Sequence, residues 1–393
     1  MRLAERSVEL VTHDEVSVVS SYDEWSPLKE VILGHSSGFR ALQLDDSFCL
    51  FHWDNLKEFI TRNGFFQDDK LQGRWRTIEI EGSILDELAE DLEGLETALV
   101  RQGITVRRPA PTPNPHAEIQ TPFWKSIQSP PLNVRDQTII LGSTIVETAP
   151  QVRARVLENQ YLRPLFQEYF TQGARWLSMP QPSLARGSLD DSFFDLSPVE
   201  RKALSDPITE QLVGLSRELA FDGAQTARLG KDVLVNVANA NHALGYDWLV
   251  REFGSSFKFH KLNRLSDSHI DSMLLPLRPG LWLVRHRGVL DYLPAPFHTW
   301  DYLEAPEVDE DNFPSYSGFN LSISSKFIDM NILSLDADIV VVNSLYPELV
   351  HLLERNKFTV IPVQHRHRRL FGGGFHCFTL DVRRTGTLED YTT

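Results

Sequence analysis

Cys377 is one of two cysteines in a chain of 393 residues, and it closes the stretch Leu370-Phe-Gly-Gly-Gly-Phe-His-Cys377. Three consecutive glycines let the backbone take conformations closed to other residues and come close to a ligand. A histidine adjoins the thiol, and the run Phe378-Thr-Leu-Asp-Val382 predicts a strand that would hold the thiol at its start. A nucleophile on a rigid mount is one reading. The other is a small core residue after a loop, since free cysteine is most often simply buried.

Four more polar residues stand at a recurring place. Asp136, Asp222 and the pair His269 and Asp271 each precede the first strand of a predicted strand pair, as Cys377 precedes the last strand. Taken singly, the aspartates read as turn caps and the histidine as a satisfied structural residue. Equivalent positions in like units lie at one end of a ring, so these five side chains are expected to converge on one axial pocket. The thiol must ionise to attack, and an imidazole can accept its proton or stabilise the thiolate. Carboxylates crowded about a thiolate raise its pKa, so they make sense when a cation fills the pocket. A guanidinium is planar, permanently charged and matched to carboxylates through paired hydrogen bonds. Arginine-type substrates are therefore expected.

The elements that would position these groups repeat along the chain. Leu28 to Leu33 reads as a strand ending at Gly34, and Gly38 to Gly82 as loops and short elements on one side of the fold. Ser83 and Asp86 form a capping pair for a helix with Leu85, Leu88, Leu92, Leu95 and Leu99 at helical spacing, stopped by Gly103 before a strand at Ile104 to Val106. Asp136 to Leu141 and Ser143 to Thr148 flank Gly142 as a strand pair, a helix is expected from Pro150 to Gly173, and Arg175 to Leu177 reads as a strand. The pair signature returns at Ala227 to Asn236, Leu274 to Val284 and Ile332 to Val342, with helices predicted at His242 to Phe253 and Pro347 to Lys357. Counted with the terminal strands this makes about five modules of strand, turn, strand, helix and strand, and a ring of like units fits better than separate domains. Residues 21–393 are then a single domain after a disordered or extended segment, 1–20. The acidic stretch Glu304 to Asp311 is expected to be a solvated surface loop.

Composition narrows the function. The balance of 39 basic against 54 acidic side chains, a net −15, argues against a nucleic-acid or anionic-membrane surface and favours a cationic substrate. Gln364-His-Arg-His-Arg-Arg369 is too short and isolated for a nucleic-acid patch and reads as a solvated turn. His365, His367, His376 and Cys377 lack the paired spacing of structural zinc motifs, so no metal is expected. Two cysteines make no disulfide framework, Met1 to Ser20 is unlike a secretory or transit signal, and no run of 18 apolar residues occurs, so a cytoplasmic protein is expected.

The chain resembles the amidinotransferases, the group that includes the glycine, inosamine-phosphate and lysine enzymes, the latter two from antibiotic and toxin pathways. Matching motifs, in family order, are Tyr22 to Gly34, Val134-Arg-Asp136, Gly173-Ala-Arg-Trp176, Phe221-Asp222, His269-Ile-Asp271, and Gly372 through Arg384. The resemblance implies a five-module α/β propeller with pseudo-fivefold symmetry and a ping-pong reaction through a covalent amidino-cysteine. It implies Cys377 as nucleophile, His269 as general acid and base, Asp222 as the group that orients His269 and helps to bind the guanidinium, and Asp136 and Asp271 as the grip on the guanidinium. Ser325 falls in a segment that lines the pocket in relatives. No cofactor is implied, the partners are the small molecules arginine and an amine, and a homodimer is the assembly allowed for.

The chain departs from the family pattern at three places. Phe221-Asp-Gly-Ala-Gln225 stands where relatives carry Phe-Asp-Ala-Ala and then Asp or Asn. Ser268 replaces the methionine that precedes the histidine in the glycine enzyme, leaving room for a larger amine such as lysine or an aminocyclitol. Gly288 stands where relatives place an arginine for the donor's carboxylate, a task then expected of Arg285 or Arg287. The leading reading is an arginine-dependent amidinotransferase that releases ornithine. The alternatives are an arginine deiminase or dihydrolase, with water as acceptor, and a non-catalytic arginine-binding module.

Overall fold

The structure, a computed structural model, describes residues 17–52, 54–56, 76–114, 117–191, 200, 217–316 and 322–392. Among these residues five three-stranded sheets share one plan, an antiparallel pair followed by a parallel third strand. In the second sheet Thr138–Leu141 and Thr144–Glu147 pair around Gly142, the helix Glu158–Thr171 crosses over, and Arg175–Ser178 pairs parallel with Thr144–Glu147. A parallel neighbour needs such a crossover. Thr226–Leu229, Asp232–Val237 and Lys258–Asn263 repeat the plan across the helix Ala240–Phe253. Leu333–Ser334, Ile339–Asn343 and Thr359–Val363 do so across Pro347–Arg355. In the fourth sheet, Leu274–Arg278, Leu281–Val284 and Asp301–Glu304, two 3₁₀ turns take the helix's place.

The first sheet joins distant parts of the chain. Thr379–Arg384 pairs antiparallel with Leu28–Leu33, which pairs parallel with Thr105–Arg107 after the helix Gly82–Arg101. The middle strands are covered on both faces, as with the wholly buried Asp232–Val237, and so read as continuous apolar runs. Leu88, Leu92, Leu95 and Leu99 of the first helix are buried at the expected spacing, and Leu85 packs beside them.

Several local expectations differ from the structure. The first helix is entered at Glu81 without a side-chain cap, so Ser83 and Asp86 make no capping pair. The helix expected from Pro150 starts at Glu158, because Arg153 and Arg155 occupy a 3₁₀ turn from which both side chains reach buried acceptors. The Gln364 to Arg369 stretch is no solvated turn. Arg366 and His367 bind Asp91 and Glu87 of the first helix, and buried Arg368 binds Asp329. Glu304 to Asp311 is largely exposed, with Ala305 and Val308 tucked inward. The loop region after Gly38 contains a strand pair, Ala41–Leu44 with Arg76–Glu79, and the short helix Asp46–Phe51. Its residues 57–75, and 1–16 of the amino-terminal segment, lie outside the described residues.

Behind the first sheet lies a buried charged cluster. Ser20, Ser21 and Asp23 bridge to Arg383, Gly142 and Leu229, threading three sheets together. Beside them Glu24 and Asp381 are bound by Arg135 and Arg228, and Arg384 also binds Asp381 at 2.6 Å. Burial opposes ionisation of Asp381, but Arg135, Arg228 and Arg384 hold its carboxyl well below the usual range. Removing one member of such a cluster typically costs about 3–5 kcal/mol, because a charge is left unpaired in the interior. Its function is positional: Arg135 Nε donates to the carbonyls of His376 and Thr379, each at 2.9 Å, on either side of Cys377.

Candidate active site

Cys377 lies in a single helical turn, Phe375–Phe378, directly before the strand Thr379–Arg384. Asn331 Oδ1 accepts hydrogen bonds from the N–H groups of Gly374 (3.1 Å) and Cys377 (2.9 Å), which fixes the turn from the fifth sheet. The adjacent histidine engages carboxylates rather than the thiol. His376 Nδ1 lies 2.8 Å from Asp271 Oδ2 and Nε2 lies 3.4 Å from Glu24 Oε2. That same Asp271 oxygen accepts from Cys377 Sγ at 3.4 Å.

His269 comes to the thiol from the fourth sheet. Its Nε2 is 3.2 Å from Asp222 Oδ2 and its Nδ1 is 3.7 Å from Asp136 Oδ1. A carboxylate oxygen of Asp136, a ring nitrogen of His269 and Cys377 Sγ all lie within 4.8 Å of one another. Asp222 is set by a reciprocal cap in which Gln225 Oε1 accepts from the Asp222 N–H at 2.8 Å, which gives the unusual glutamine a task. The neighbouring departure, Gly223, has a packing cause, because a Cβ there would meet the Arg135 carbonyl oxygen at 2.5 Å.

The electrostatics follow from burial and from these partners. Burial alone would lower the pKa of His269, but Asp136 and Asp222 raise it to about 9, so the ring is imidazolium at neutral pH. Burial, and then Asp271 and Asp136, push the Cys377 thiol well up. Burial also pushes the Asp136 carboxyl up, with His269 and Arg155 pulling it back. Asp271 is held down against burial by the hydrogen bond from His376. The site thus brings together a thiol, a cationic ring and carboxylates.

A cavity of about 480 Å³ opens onto Cys377, His269 and Asp271, and Ser268, Ser325 and Arg285 also line it. Its volume suits a small molecule. Arg287 is elsewhere: it begins a 3₁₀ turn with its side chain exposed, while Arg285 lines the cavity with its guanidinium 5.1 Å from the Phe327 ring centroid. Asp136 and Asp222 form the wall behind His269 rather than the lining of this cavity.

Four residues near the site were absent from the sequence reading. Arg155 donates from Nη1 to Asp136 Oδ2 at 2.7 Å and binds both oxygens of Glu158 at 2.8 Å, so the protein's own guanidinium occupies one side of Asp136. Burial raises the Glu158 carboxyl to about 7 in spite of that pair. Asn331 holds the thiol's turn, and Phe51 sets its ring edge-on to His269, centroids 5.0 Å apart. Only the Arg155 and Glu158 spacing left a mark in the sequence, as a charged pair three residues apart at a helix start.

The fold and this constellation define an α/β enzyme that works through a cysteine nucleophile. Over 378 residues the chain is 35% identical to inosamine-phosphate amidinotransferase 1 of Streptomyces glaucescens, covering 96% of this chain and 99% of that one. It is 33% identical over 387 residues to the L-arginine:L-lysine amidinotransferase of Pseudomonas savastanoi pv. phaseolicola, covering 97% and 98%. The solved structure of an inosamine-phosphate amidinotransferase from Streptomyces griseus matches with a TM-score of 0.79 at 32% identity, over 96% of this chain and 100% of that one. No protein-family model matches the chain. The chain belongs to the amidinotransferase family, transferases that act by a ping-pong route through a cysteine.

Proposed function

We propose that the protein is an arginine-dependent amidinotransferase: L-arginine gives its amidino group to Cys377, ornithine leaves, and an amine larger than glycine takes the group. The observation that carries this is the convergence of Asp136, His269 and Cys377 within 4.8 Å from three separate sheets. We further read the five sheets as modules of one propeller with pseudo-fivefold symmetry, forming a single domain over residues 21–393, with the site at its axis.

In this reading the substrate supplies a cation to the carboxylates around the thiol. Asp271 and the free side of Asp136 bind the guanidinium, whose charge favours ionisation of Cys377 with loss of its proton to solvent. The thiolate forms a C–S bond to the guanidinium carbon. The C–N bond to ornithine breaks as the His269 imidazolium gives its proton to the leaving nitrogen. An incoming amine then bonds to the amidino carbon and gives a proton to the now neutral imidazole. The C–S bond breaks, and thiolate and imidazolium are restored. Asp222 keeps Nε2 of the ring engaged, leaving Nδ1 toward the reacting groups. Ser268 and Ser325 are the hydroxyl contacts to substrate. The donor carboxylate is assigned to an arginine beyond Val284, and the cavity lining favours Arg285 over Arg287. Ser268, being small, supports an acceptor such as lysine or an aminocyclitol.

The test is arginine turnover across glycine, lysine and aminocyclitols, with ornithine measured. An acceptor-dependent rate that Cys377→Ala abolishes is the expected result. Citrulline with ammonia, formed without an amine, would instead identify a deiminase, and ornithine release by the Cys377→Ala protein would end the reading.

A further inference from the structure

An amidino-cysteine faces a choice of acceptor that its own chemistry does not make. Water attacks the amidino carbon as an amine does, and an imidazole that takes a proton from an amine takes one equally from water. Discrimination must come from where water can stand beside the reacting carbon, since an ordered water needs two to four polar partners and room of roughly 10–15 Å³.

The structure places such a spot next to the reaction chamber. A second cavity of about 50 Å³ is lined by Gln43, Ser129, Asn133, Asp136, Arg155 and Glu158 among others. Phe51, His52, Ile323 and Gly372 line both this cavity and the larger one, and so form the partition between them. Phe51 is buried, and its ring meets that of His269 edge-on at 72°. The His52 ring is packed 4.6 Å from both Phe48 and Phe51, and burial draws its pKa down to about 3, so it brings no charge to the partition. Gly372 has a φ of 70°, and a Cβ there would meet Ile323 Cδ1 at 3.0 Å, so the partition packs directly on the backbone that leads to Cys377.

The partition is anchored from outside the site. Asp45 caps the helix Asp46–Phe51 by accepting from the Phe48 N–H at 3.0 Å. Ser47 Oγ accepts from the Arg153 N–H at 3.0 Å and donates to Asp45 at 2.6 Å. The position of Phe51 is thus set by the fold and not by a bound substrate.

We propose that Phe51 determines acceptor choice between amine and water, its ring walling off the polar cavity at Gln43, Asn133 and Arg155 from the amidino carbon on Cys377. This rests on the roles given above to Cys377 and His269. When the wall is breached, a water oxygen bonds to the amidino carbon, one of its protons passes to His269 and the other is released to solvent as the adduct collapses. The C–S bond then breaks, and urea leaves with the Cys377 thiolate restored. The enzyme then splits arginine and water into ornithine and urea.

The experiment needs arginine and no amine. The unaltered enzyme releases a burst of about one ornithine per active site as the amidino-cysteine forms, followed by a slow phase in which ornithine and urea appear together. Phe51→Ala keeps the burst and speeds the slow phase by at least about tenfold, with Phe51→Val in between, as the opening widens. A burst with no faster urea release in either variant overturns the proposal, as does loss of the burst in both, which would put Phe51 in the first half-reaction. If the alanine protein does not fold, the valine protein decides by the same criterion. Absence of a burst in the unaltered enzyme overturns the reading of Cys377 and this proposal with it, and so separates the two failures.

Discussion

Two histidines in this molecule each sit between two carboxylates, and they do opposite work. His269 stands between Asp222 and Asp136 on the wall of the substrate cavity, with only its Asp222 contact, 3.2 Å, inside hydrogen-bond range. His376 stands between Asp271 and Glu24 behind the thiol, and both of its ring nitrogens face carboxylate oxygens. The first is left with a nitrogen 3.7 Å from an Asp136 oxygen that has no hydrogen-bond partner among the described residues. The second is tied into the cluster of Glu24, Arg135, Arg228 and Asp381. A histidine with one slack contact can change its protonation state during a reaction. One bound at both nitrogens serves to hold the carboxylate beside it.

The largest effect should separate the two. On the proposed mechanism His269→Gln removes the proton carrier from both half-reactions, and it is expected to lower turnover by about 10²–10⁴-fold. His376→Gln is expected to lower it by about tenfold, through a misplaced Asp271, while destabilising the fold by roughly 1–3 kcal/mol through buried carboxylates left short of a donor. Stability against pH sharpens the contrast. The pKa of His269 is raised from 6.5 to about 9 on folding, so its contribution is fully present below about pH 6.5 and is lost as pH rises through about 9. Denaturant midpoints between about pH 7 and 8.5, above the Glu158 titration and below that of an unfolded thiol, should show that decline in the unaltered protein and in His376→Gln, and should lose it in His269→Gln. A decline that survives in His269→Gln would mean another group carries it.

The next effect concerns what keeps Asp136 slack toward His269. Arg155 takes Asp136 Oδ2, while its other nitrogens are spent on Glu158 and the Asn133 carbonyl. A lysine keeps the charge but lacks the planar fork, so it cannot serve all three acceptors at once. Arg155→Lys should let Asp136 rotate and cost about 10–100-fold in kcat/KM for arginine, since small misplacements at a reacting centre carry penalties of that size. The effect should fall mostly on the first half-reaction, read as a slower ornithine burst. A burst at the normal rate would show that Asp136 needs no such restraint.

The sequence disclosed the residues that converge near the cavity better than those that hold them in place. The five-sheet plan was legible because each middle strand is covered on both faces and leaves an apolar run such as Asp232–Val237. Asp136, Asp222, His269, Asp271 and Cys377 were legible because each stands a few residues before the first strand of a hairpin or, for Cys377, before the last strand. Applied once more, to the hairpin starting at Leu333, the same rule points to Asn331, which was passed over because an asparagine before a strand reads as an ordinary turn residue. Arg155 was hidden because an arginine at a helix start reads as solvated, and its tie to Asp136 exists only once the hairpin between them has folded. Phe51 lies in a stretch without periodic signal. Arg285 and Arg287 were indistinguishable because the strand ends at Val284 and a 3₁₀ turn begins at Arg287, so strand alternation does not carry across the gap.

Asn331 supplies the smallest and most selective test. Its Oδ1 holds two N–H groups of the thiol's turn, and its side chain helps to hold the Asp271 carboxyl down. Asn331→Asp keeps an oxygen for both N–H groups, so the turn should stay in place. It adds a negative charge where burial, Asp271 and Asp136 already push the Cys377 thiol up. The thiolate becomes harder to form, and the ornithine burst at neutral pH should slow by several-fold, on the order of the change expected for one more nearby carboxylate. The loss should shrink as pH rises, and alkylation of Cys377 should shift to higher pH in step with it. If Asn331 served the turn's geometry alone, alkylation would follow the same pH curve in both proteins, and the fixed side of the site would have no say in how readily the thiol ionises.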